Sequence, residues 1–185
     1  MKGRIWFLVI TLLAIVVALS WGTVNEFIMK IIYPLEYKET ILIYTEEYGV
    51  DSYLIMGLIK AESNFVPDAH SKQDAKGLMQ LTDATAEWVA GELGEDYSFD
   101  KLVQPEYNIK LGTWYLSYLL KSYEGDITLA LCAYNAGSGN LGKWLKNPDY
   151  SPDGQTIVKI PFPETRKYVE NTVKYAKVYR EFYKD

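Results

Sequence analysis

A run of 20 residues without a charge, Ile5–Val24, is the feature that most limits how this chain of 185 residues can fold. As an α-helix, such a run is about 30 Å long, which matches the hydrocarbon core of a bilayer. Lys2 and Arg4 precede it, and positive charges favour the cytoplasmic side of a membrane. We therefore expect residues 1–34 to form a single N-terminal membrane anchor and residues 35–185 to form a separate domain.

The same run leaves a second interpretation open, which is a signal peptide that is removed after export. Ala18-Leu19-Ser20 loosely resembles a cleavage site, although the uncharged run continues beyond it. Trp6 and Trp21 lie near the two ends of the run, as indole rings do at membrane interfaces, which favours the anchor. Either interpretation places residues 35–185 outside the cytoplasmic membrane, as an anchored or a secreted domain.

The composition is that of one ordinary globular domain and excludes several classes of protein. Hydrophobic residues make up 49% and charged residues 23%, so the chain is not disordered. A net charge of -5 argues against a nucleic-acid partner, which needs a basic surface. One cysteine (Cys132) and one histidine (His70) exclude an intrachain disulfide and a multi-cysteine zinc site. We therefore expect neither a metal nor another cofactor.

Helical periods and helix-end signals predict an all-α domain. Apolar residues recur at spacings of three and four, Asp51 and Asp126 are suited to cap helices, and Thr82 or Asp83 is suited to cap another. No alternating apolar pattern predicts a strand. The expected helices cover residues 37–48, 51–64, 84–93, 105–123, 127–135, 140–145 and 163–183, with a loop over residues 147–158.

One carboxylate occupies an unusual position in this pattern. Leu54, Leu58 and Glu62 are spaced by four residues, so they form one stripe on the helix that follows Asp51. A carboxyl at the end of an apolar stripe loses water, and this loss disfavours its charged form. Such a group holds a proton near neutral pH and can act as a general acid. The alternative is a glutamate that faces water or pairs with Lys60.

Four short segments of the sequence are informative because of the order in which they occur along the chain. They are residues 62–65 (ESNF), residues 69–80 with Ala-His-Ser and Ala-Lys-Gly-Leu-Met-Gln, residues 133–137 (AYNAG) and residues 164–169 (ETRKYV). This series resembles the catalytic domain of the soluble lytic transglycosylases, over about residues 37–182. The resemblance implies a lysozyme-like helical fold and an enzyme that acts on the glycan strands of peptidoglycan without a cofactor.

By this resemblance, Glu62 is both the catalytic acid and the catalytic base. It would cleave the β-1,4 bond between N-acetylmuramic acid and N-acetylglucosamine, and leave a 1,6-anhydromuramic end. Two alternatives stay open, a muramidase-type hydrolase and a non-catalytic peptidoglycan-binding assembly protein. A hydrolase needs a second carboxylate. The acidic residues considered for that role, each expected to be a solvated surface charge, are Glu46, Glu47, Asp68, Asp74 and Asp83.

The resemblance also assigns substrate-binding positions. They are Ser71, Gly77, Met79, Gln80, Tyr134, Asn135 and Tyr168. Structural alternatives exist for most of them, such as a loop-bracing amide for Gln80, a turn glycine for Gly77 and a helix cap for Asn135. For Met79 and Tyr168 the alternative is a place in the hydrophobic core.

Overall fold

The structure is a computed structural model that describes residues 2–184, with side chains described except at positions 2, 8, 12–14 and 16–22. The chain divides into two compact units, residues 1–35 and residues 36–185. The predicted domain boundary after residue 34 stays a prediction, because a division by contacts does not test what each segment does.

The first unit contains one helix, α1 (Lys2–Ile32), which includes the uncharged run. Several of its described apolar side chains are well exposed, such as Trp6 at 67% and Phe7 at 70%. Within the described part of the chain, no helix has both the length and the apolar character that a membrane span requires. Much of the predicted anchor, at positions 8, 12–14 and 16–22, lies outside the described side chains.

The second unit is helical, and between residues 36 and 184 it contains no strand. The all-α prediction is therefore confirmed, although the short 3₁₀ helix was not expected. In this described range, two isolated bridges join Lys76 to His70 and to Leu81. The helices are α2 (Lys38–Tyr48), α3 (Ser52–Glu62), α4 (Asp83–Leu93), the 3₁₀ helix (Phe99–Val103), α5 (Pro105–Ser122), α6 (Ile127–Ala136), α7 (Ser138–Leu145) and α8 (Pro163–Phe182).

Local capping explains where most of these helices begin. The Asp51 carboxylate accepts hydrogen bonds from two backbone N–H groups in the first turn of α3. Thr82 caps α4 and Asp126 caps α6 in the same manner. Pro105 and Pro163 occupy the first turns of α5 and α8, where a missing N–H costs nothing. These signals are local in sequence, and for that reason they were predictable.

Helices α3 and α8 form the most extensive helix pair of the second unit. They cross closely at Gly57, where an added Cβ would lie 2.6 Å from both the Thr172 carbonyl oxygen and the Ala176 nitrogen. A side chain at this position would therefore force the helices apart. The close crossing packs the middle of α3 against the middle of α8, and Glu62 lies little more than one turn beyond it, at the C-terminal end of α3.

Candidate active site

A cleft with a volume of 640 Å³ lies where the C-terminal ends of α3 and α6 meet the start of α8 and the loop that precedes α4. Five residues predicted from the sequence line it: Glu62, Ser71, Gln80, Tyr134 and Asn135. Eight further residues complete the lining: Gln73, Ala75, Thr82, Ala136, Phe162, Pro163, Glu164 and Thr165.

Glu62 is the residue of this cleft whose side chain is best suited to acid–base chemistry. Burial raises the pKa of its carboxyl from 4.5 to about 7, although the nearby Tyr168 hydroxyl acts in the opposite direction. The negative charge of Glu164 adds a smaller increase to the same pKa. The raised pKa agrees with the desolvation that the apolar stripe predicts for Glu62. A carboxyl with a pKa near neutrality can donate a proton and then accept one.

Tyr168 lies behind Glu62 and is only 8% exposed, so it does not line the cleft. Neither its hydroxyl nor the buried Thr172 hydroxyl one turn further along α8 has a hydrogen-bond partner of ordinary geometry within the described structure. Burial, followed by the charge of Glu62, raises the Tyr168 pKa well above 10, so the phenol stays protonated. A neutral phenol at this position favours the carboxylate form of Glu62.

Tyr134 lies on α6 and faces the cleft from another side. Its hydroxyl donates a hydrogen bond of 2.8 Å to the Met79 carbonyl oxygen. Burial, followed by the charge of Glu62, raises the Tyr134 pKa well above its ordinary value of 10. The resemblance assigns this tyrosine to substrate binding. In the structure, its proton is directed to the loop instead, and it connects α6 to the segment that carries Gln80.

Ser71 and Gln80 both form hydrogen bonds within the loop, and each leaves one polar group free for a ligand. The Ser71 hydroxyl oxygen accepts hydrogen bonds from two backbone N–H groups of its own loop, so its proton is free for another acceptor. The Gln80 amide nitrogen donates to the carbonyl oxygens of Ala69 at 3.0 Å and Gly77 at 2.9 Å. The amide oxygen of Gln80 is then the group available in the cleft.

Gly77 and Met79 lie outside the cleft lining, and the structure does not support a direct sugar contact by either. The Met79 side chain is fully buried and packs against Gly112, so it has no surface to offer a ligand. Gly77 has φ of 82°, and an added Cβ would lie 2.2 Å from both the Leu102 carbonyl oxygen and the Asn108 side chain. A glycine is needed there by close packing against α5, not by an open groove.

Asn108 is a residue of the site that the sequence analysis missed. It is fully buried on α5, where its side-chain oxygen accepts a hydrogen bond of 2.7 Å from the Met79 N–H. Its amide nitrogen donates to the carbonyl oxygens of Lys76 at 3.0 Å and Leu102 at 2.9 Å. The only signal in the sequence is a polar amide beside the apolar stripe of α5. Such an amide must find partners when it is buried.

Asn135 and Glu164 are two further polar residues of the cleft. Among the described residues, the Asn135 side chain makes no hydrogen bond, and Gly137, not Asn135, occupies the end of α6. Its amide is therefore available to a ligand. Glu164 is exposed and is the second carboxylate of the lining, whereas the five acidic residues considered from the sequence lie elsewhere.

Comparisons with known proteins find similarity to lytic transglycosylases. The family described as Transglycosylase SLT domain matches residues 39–157. The soluble lytic murein transglycosylase of Salmonella typhimurium is 35% identical over 153 residues, which cover 81% of this chain and 24% of that protein. The membrane-bound lytic murein transglycosylase C of Photorhabdus laumondii is 40% identical over 109 residues, which cover 51% of this chain and 29% of that protein.

A solved structure gives the same result for the fold. The lytic transglycosylase Slt of Pseudomonas aeruginosa, an inactive glutamate-to-glutamine mutant, superposes with a TM-score of 0.74 and 34% identity, over 83% of this chain and 25% of that one. This chain spans about a quarter of the length of these soluble relatives. The fold is thus lysozyme-like and helical, and the chain belongs to the transglycosylase SLT domain family.

Proposed function

We propose that residues 35–185 form a peptidoglycan lytic transglycosylase that cleaves the β-1,4 bond between N-acetylmuramic acid and N-acetylglucosamine. The observation that carries this proposal is Glu62, a carboxyl with a pKa of about 7 that opens into the cleft from the end of α3. The names of the relatives support the substrate, since those proteins are described as lytic murein transglycosylases.

In the first step, protonated Glu62 gives its proton to the glycosidic oxygen. The bond between that oxygen and the anomeric carbon of the muramic residue breaks, and the N-acetylglucosamine portion leaves as an alcohol. Positive charge then develops on the anomeric carbon. The Glu62 carboxylate that results is the form that the Tyr168 hydroxyl favours.

In the second step, the Glu62 carboxylate accepts the proton of the muramic C6 hydroxyl. The C6 oxygen forms a bond to the anomeric carbon and closes the 1,6-anhydro ring. Glu62 is protonated again, and no water is consumed. The hydroxyl proton of Ser71, the amide oxygen of Gln80 and the amide of Asn135 are suited to hold the hydroxyl and acetamido groups of the sugars.

Glu164 makes a hydrolase the second candidate. An inverting or retaining glycosidase uses two carboxylates that flank the bond, and Glu164 lines the same cleft as Glu62. Glu164 is exposed to solvent, and its charge acts on the Glu62 carboxyl. A muramidase of this kind would direct water to the anomeric carbon and release reducing ends instead of anhydro ends.

Mass spectrometry of digested peptidoglycan sacculi separates these reactions. We expect the full chain to release anhydromuramic ends, which resist borohydride reduction. Glu62→Gln should lower the rate about 10³-fold, because the amide is nearly isosteric but cannot transfer the proton. Glu164→Gln should keep the anhydro products. Reducing ends that disappear in Glu164→Gln would establish the hydrolase, and an absence of cleavage products would contradict both enzymes.

We also propose that the N-terminal helix is an uncleaved anchor on the cytoplasmic membrane, with the catalytic domain on the extracytoplasmic side. The uncharged run Ile5–Val24, preceded by Lys2 and Arg4, supports it. In cell fractionation, the chain should sediment with membranes and retain its first residues in N-terminal sequencing. A released form that begins near Trp21 would instead identify a cleaved signal peptide.

A further inference from the structure

Four aromatic residues on α4 and α5 form a cluster that the proposed mechanism does not use, here named the aromatic platform: Trp88, Trp114, Tyr115 and Tyr118. The Trp88 ring contacts the other three edge-on, with centroid distances of 5.5 Å to Trp114, 6.0 Å to Tyr115 and 5.0 Å to Tyr118. Trp114 and Tyr118 are nearly parallel, with an interplanar angle of 7° and centroids 5.7 Å apart. Each ring is therefore held in place by its neighbours.

The platform reaches the surface. Trp88 is 38% exposed and Tyr118 is 44% exposed, which are large fractions for aromatic side chains in a folded domain. The indole N–H groups of Trp88 and Trp114 have no hydrogen-bond partner among the described residues. The same holds for the Tyr118 hydroxyl. The platform therefore presents flat apolar rings with free hydrogen-bond donors at their edges.

Ring contacts also connect the platform to the cleft. The Tyr115 ring lies 5.2 Å from the ring of Tyr134, which lines the cleft beside Glu62. A chain of ring contacts therefore runs from the cleft through Tyr134 and Tyr115 to Trp88. The start of α4 joins the same two regions, because Thr82 lines the cleft and Trp88 lies within two turns of it.

We propose that the aromatic platform is a second glycan-binding surface, which holds the part of a strand that extends beyond the cleft. This inference rests on the proposed function, because a glycan in the cleft supplies the occupant. A pyranose ring presents an apolar C–H face and a rim of hydroxyl groups. The exposed ring faces match the C–H face, and the indole N–H groups and the Tyr118 hydroxyl match the rim. The platform would thereby favour long strands over short ones.

Binding can be tested without cleavage. The full Glu62→Gln chain, in a mild detergent, is titrated with the hexasaccharide of N-acetylglucosamine while the indole N–H signals are followed by NMR. We expect the signals of Trp88 and Trp114 to shift and that of Trp6, on α1, to stay. Unmoved platform signals would overturn the inference. So would a concentration-dependent dimer in sedimentation that hides the platform, since a second copy would then be its occupant.

Kinetics give an independent test. Trp88→Ala combined with Tyr118→Ala should raise KM for long glycan strands about tenfold more than KM for a tetrasaccharide. Trp88→Phe should restore most of the difference because it keeps a ring. Tyr150→Ala, which removes a half-buried tyrosine outside both the platform and the cleft, should leave both values unchanged. Equal effects on both substrates would overturn the inference.

The two proposals fail in different ways. Shifted Trp88 and Trp114 signals without any cleavage by the wild-type chain would contradict the proposed function and support the platform as a glycan-binding surface. Cleavage by the wild-type chain with no length-dependent loss in the double variant would support the proposed function and overturn the platform.

Discussion

The helix pair α3–α8 and the loop over residues 63–82 both adjoin Glu62, but the loop depends far more on polar contacts. The helix pair is held by apolar packing, with Leu54 and Leu58 buried and Gly57 at the crossing. The loop is held by hydrogen bonds within itself and to Asn108 and Tyr134, together with a few buried side chains such as Met79. The comparison indicates that the two regions have different roles. The helices bury the acid and so raise its pKa, and the loop positions the groups that contact a ligand.

The loop also adopts backbone conformations that the helices do not. Asn64, Phe65, Asp74 and Gln80 all have φ between 47° and 65°, in the left-handed region. A bulky residue such as Phe65 seldom occurs there, and each such residue costs about 1–3 kcal/mol. Phe65 is held by its burial and by the Tyr179 ring at 6.0 Å. The loop therefore depends on the surrounding structure more than the helix pair does.

Removal of the amide that braces the loop should have the largest effect on stability. Asn108→Ala leaves the Met79 N–H and the Leu102 carbonyl oxygen without their partner, whereas the Lys76 carbonyl oxygen keeps its hydrogen bond from the Leu81 N–H. Each unsatisfied buried group costs about 1–3 kcal/mol, so we expect the free energy of unfolding to fall by about 4 kcal/mol. Urea denaturation monitored by circular dichroism would measure it.

Asn140→Ala is the matched control for this change. The Asn140 amide makes one hydrogen bond of 2.8 Å, to the Ala136 carbonyl oxygen, and lies outside the loop. We expect a loss of about 1 kcal/mol from this variant. If both variants lose the same stability, Asn108 does not hold the loop as described. Cleavage should also fall in Asn108→Ala under conditions where it is still folded, because Gln80 would no longer be positioned.

A second prediction concerns the helix pair. Gly57→Ala places a Cβ 2.6 Å from backbone atoms of α8, and backbone cannot move aside as a flexible side chain can. We expect the free energy of unfolding to fall by about 3 kcal/mol. Gly91→Ala on α4 is the control, because its Cβ would meet nothing within 4 Å. That control should gain up to about 1 kcal/mol. Equal melting temperatures for the two variants would contradict the close crossing.

The comparison also explains how much of the fold could be read from the sequence. The positions where α3, α4 and α6 begin follow from Asp51, Thr82 and Asp126, because a capping residue accepts hydrogen bonds from the next few N–H groups. The 3₁₀ helix Phe99–Val103 was missed, since its five residues form no complete apolar period. Local signals sufficed for the helices and not for the connections between them.

The site was predictable where function depends on a single helix. The stripe of Leu54, Leu58 and Glu62 contains the reason for the raised pKa, so the spacing made Glu62 a candidate acid, and the resemblance made it the predicted catalytic residue. Asn108 could not be found in this way, because two of its hydrogen-bond partners, Met79 and Lys76, lie 29 or more residues away in the sequence. The Met79 side chain was assigned to the cleft by resemblance, and only the packing against Gly112 shows that it is buried.

The smallest predicted effect concerns the pKa of Glu62, because both the helix pair and the loop contribute to the burial of this carboxyl. The folded pKa of about 7 lies above the ordinary value of 4.5, so the folded chain holds this proton more tightly than the unfolded chain. The stabilisation is fully present below pH 4.5 and is lost as the pH rises through about 7. Relative to Glu62→Gln, the wild-type chain should lose about 2 kcal/mol between pH 5 and pH 8.

Chemical denaturation of both proteins at several pH values would measure this difference, because changes shared by the two proteins cancel. Glu164→Gln provides a further comparison, since removal of its negative charge should lower the Glu62 pKa and move the loss to lower pH. A wild-type chain that instead gains stability over Glu62→Gln as the pH rises would have Glu62 ionised and solvated or ion-paired. In that case the helix pair and the loop would not bury the carboxyl, and the proposed acid would lack its raised pKa.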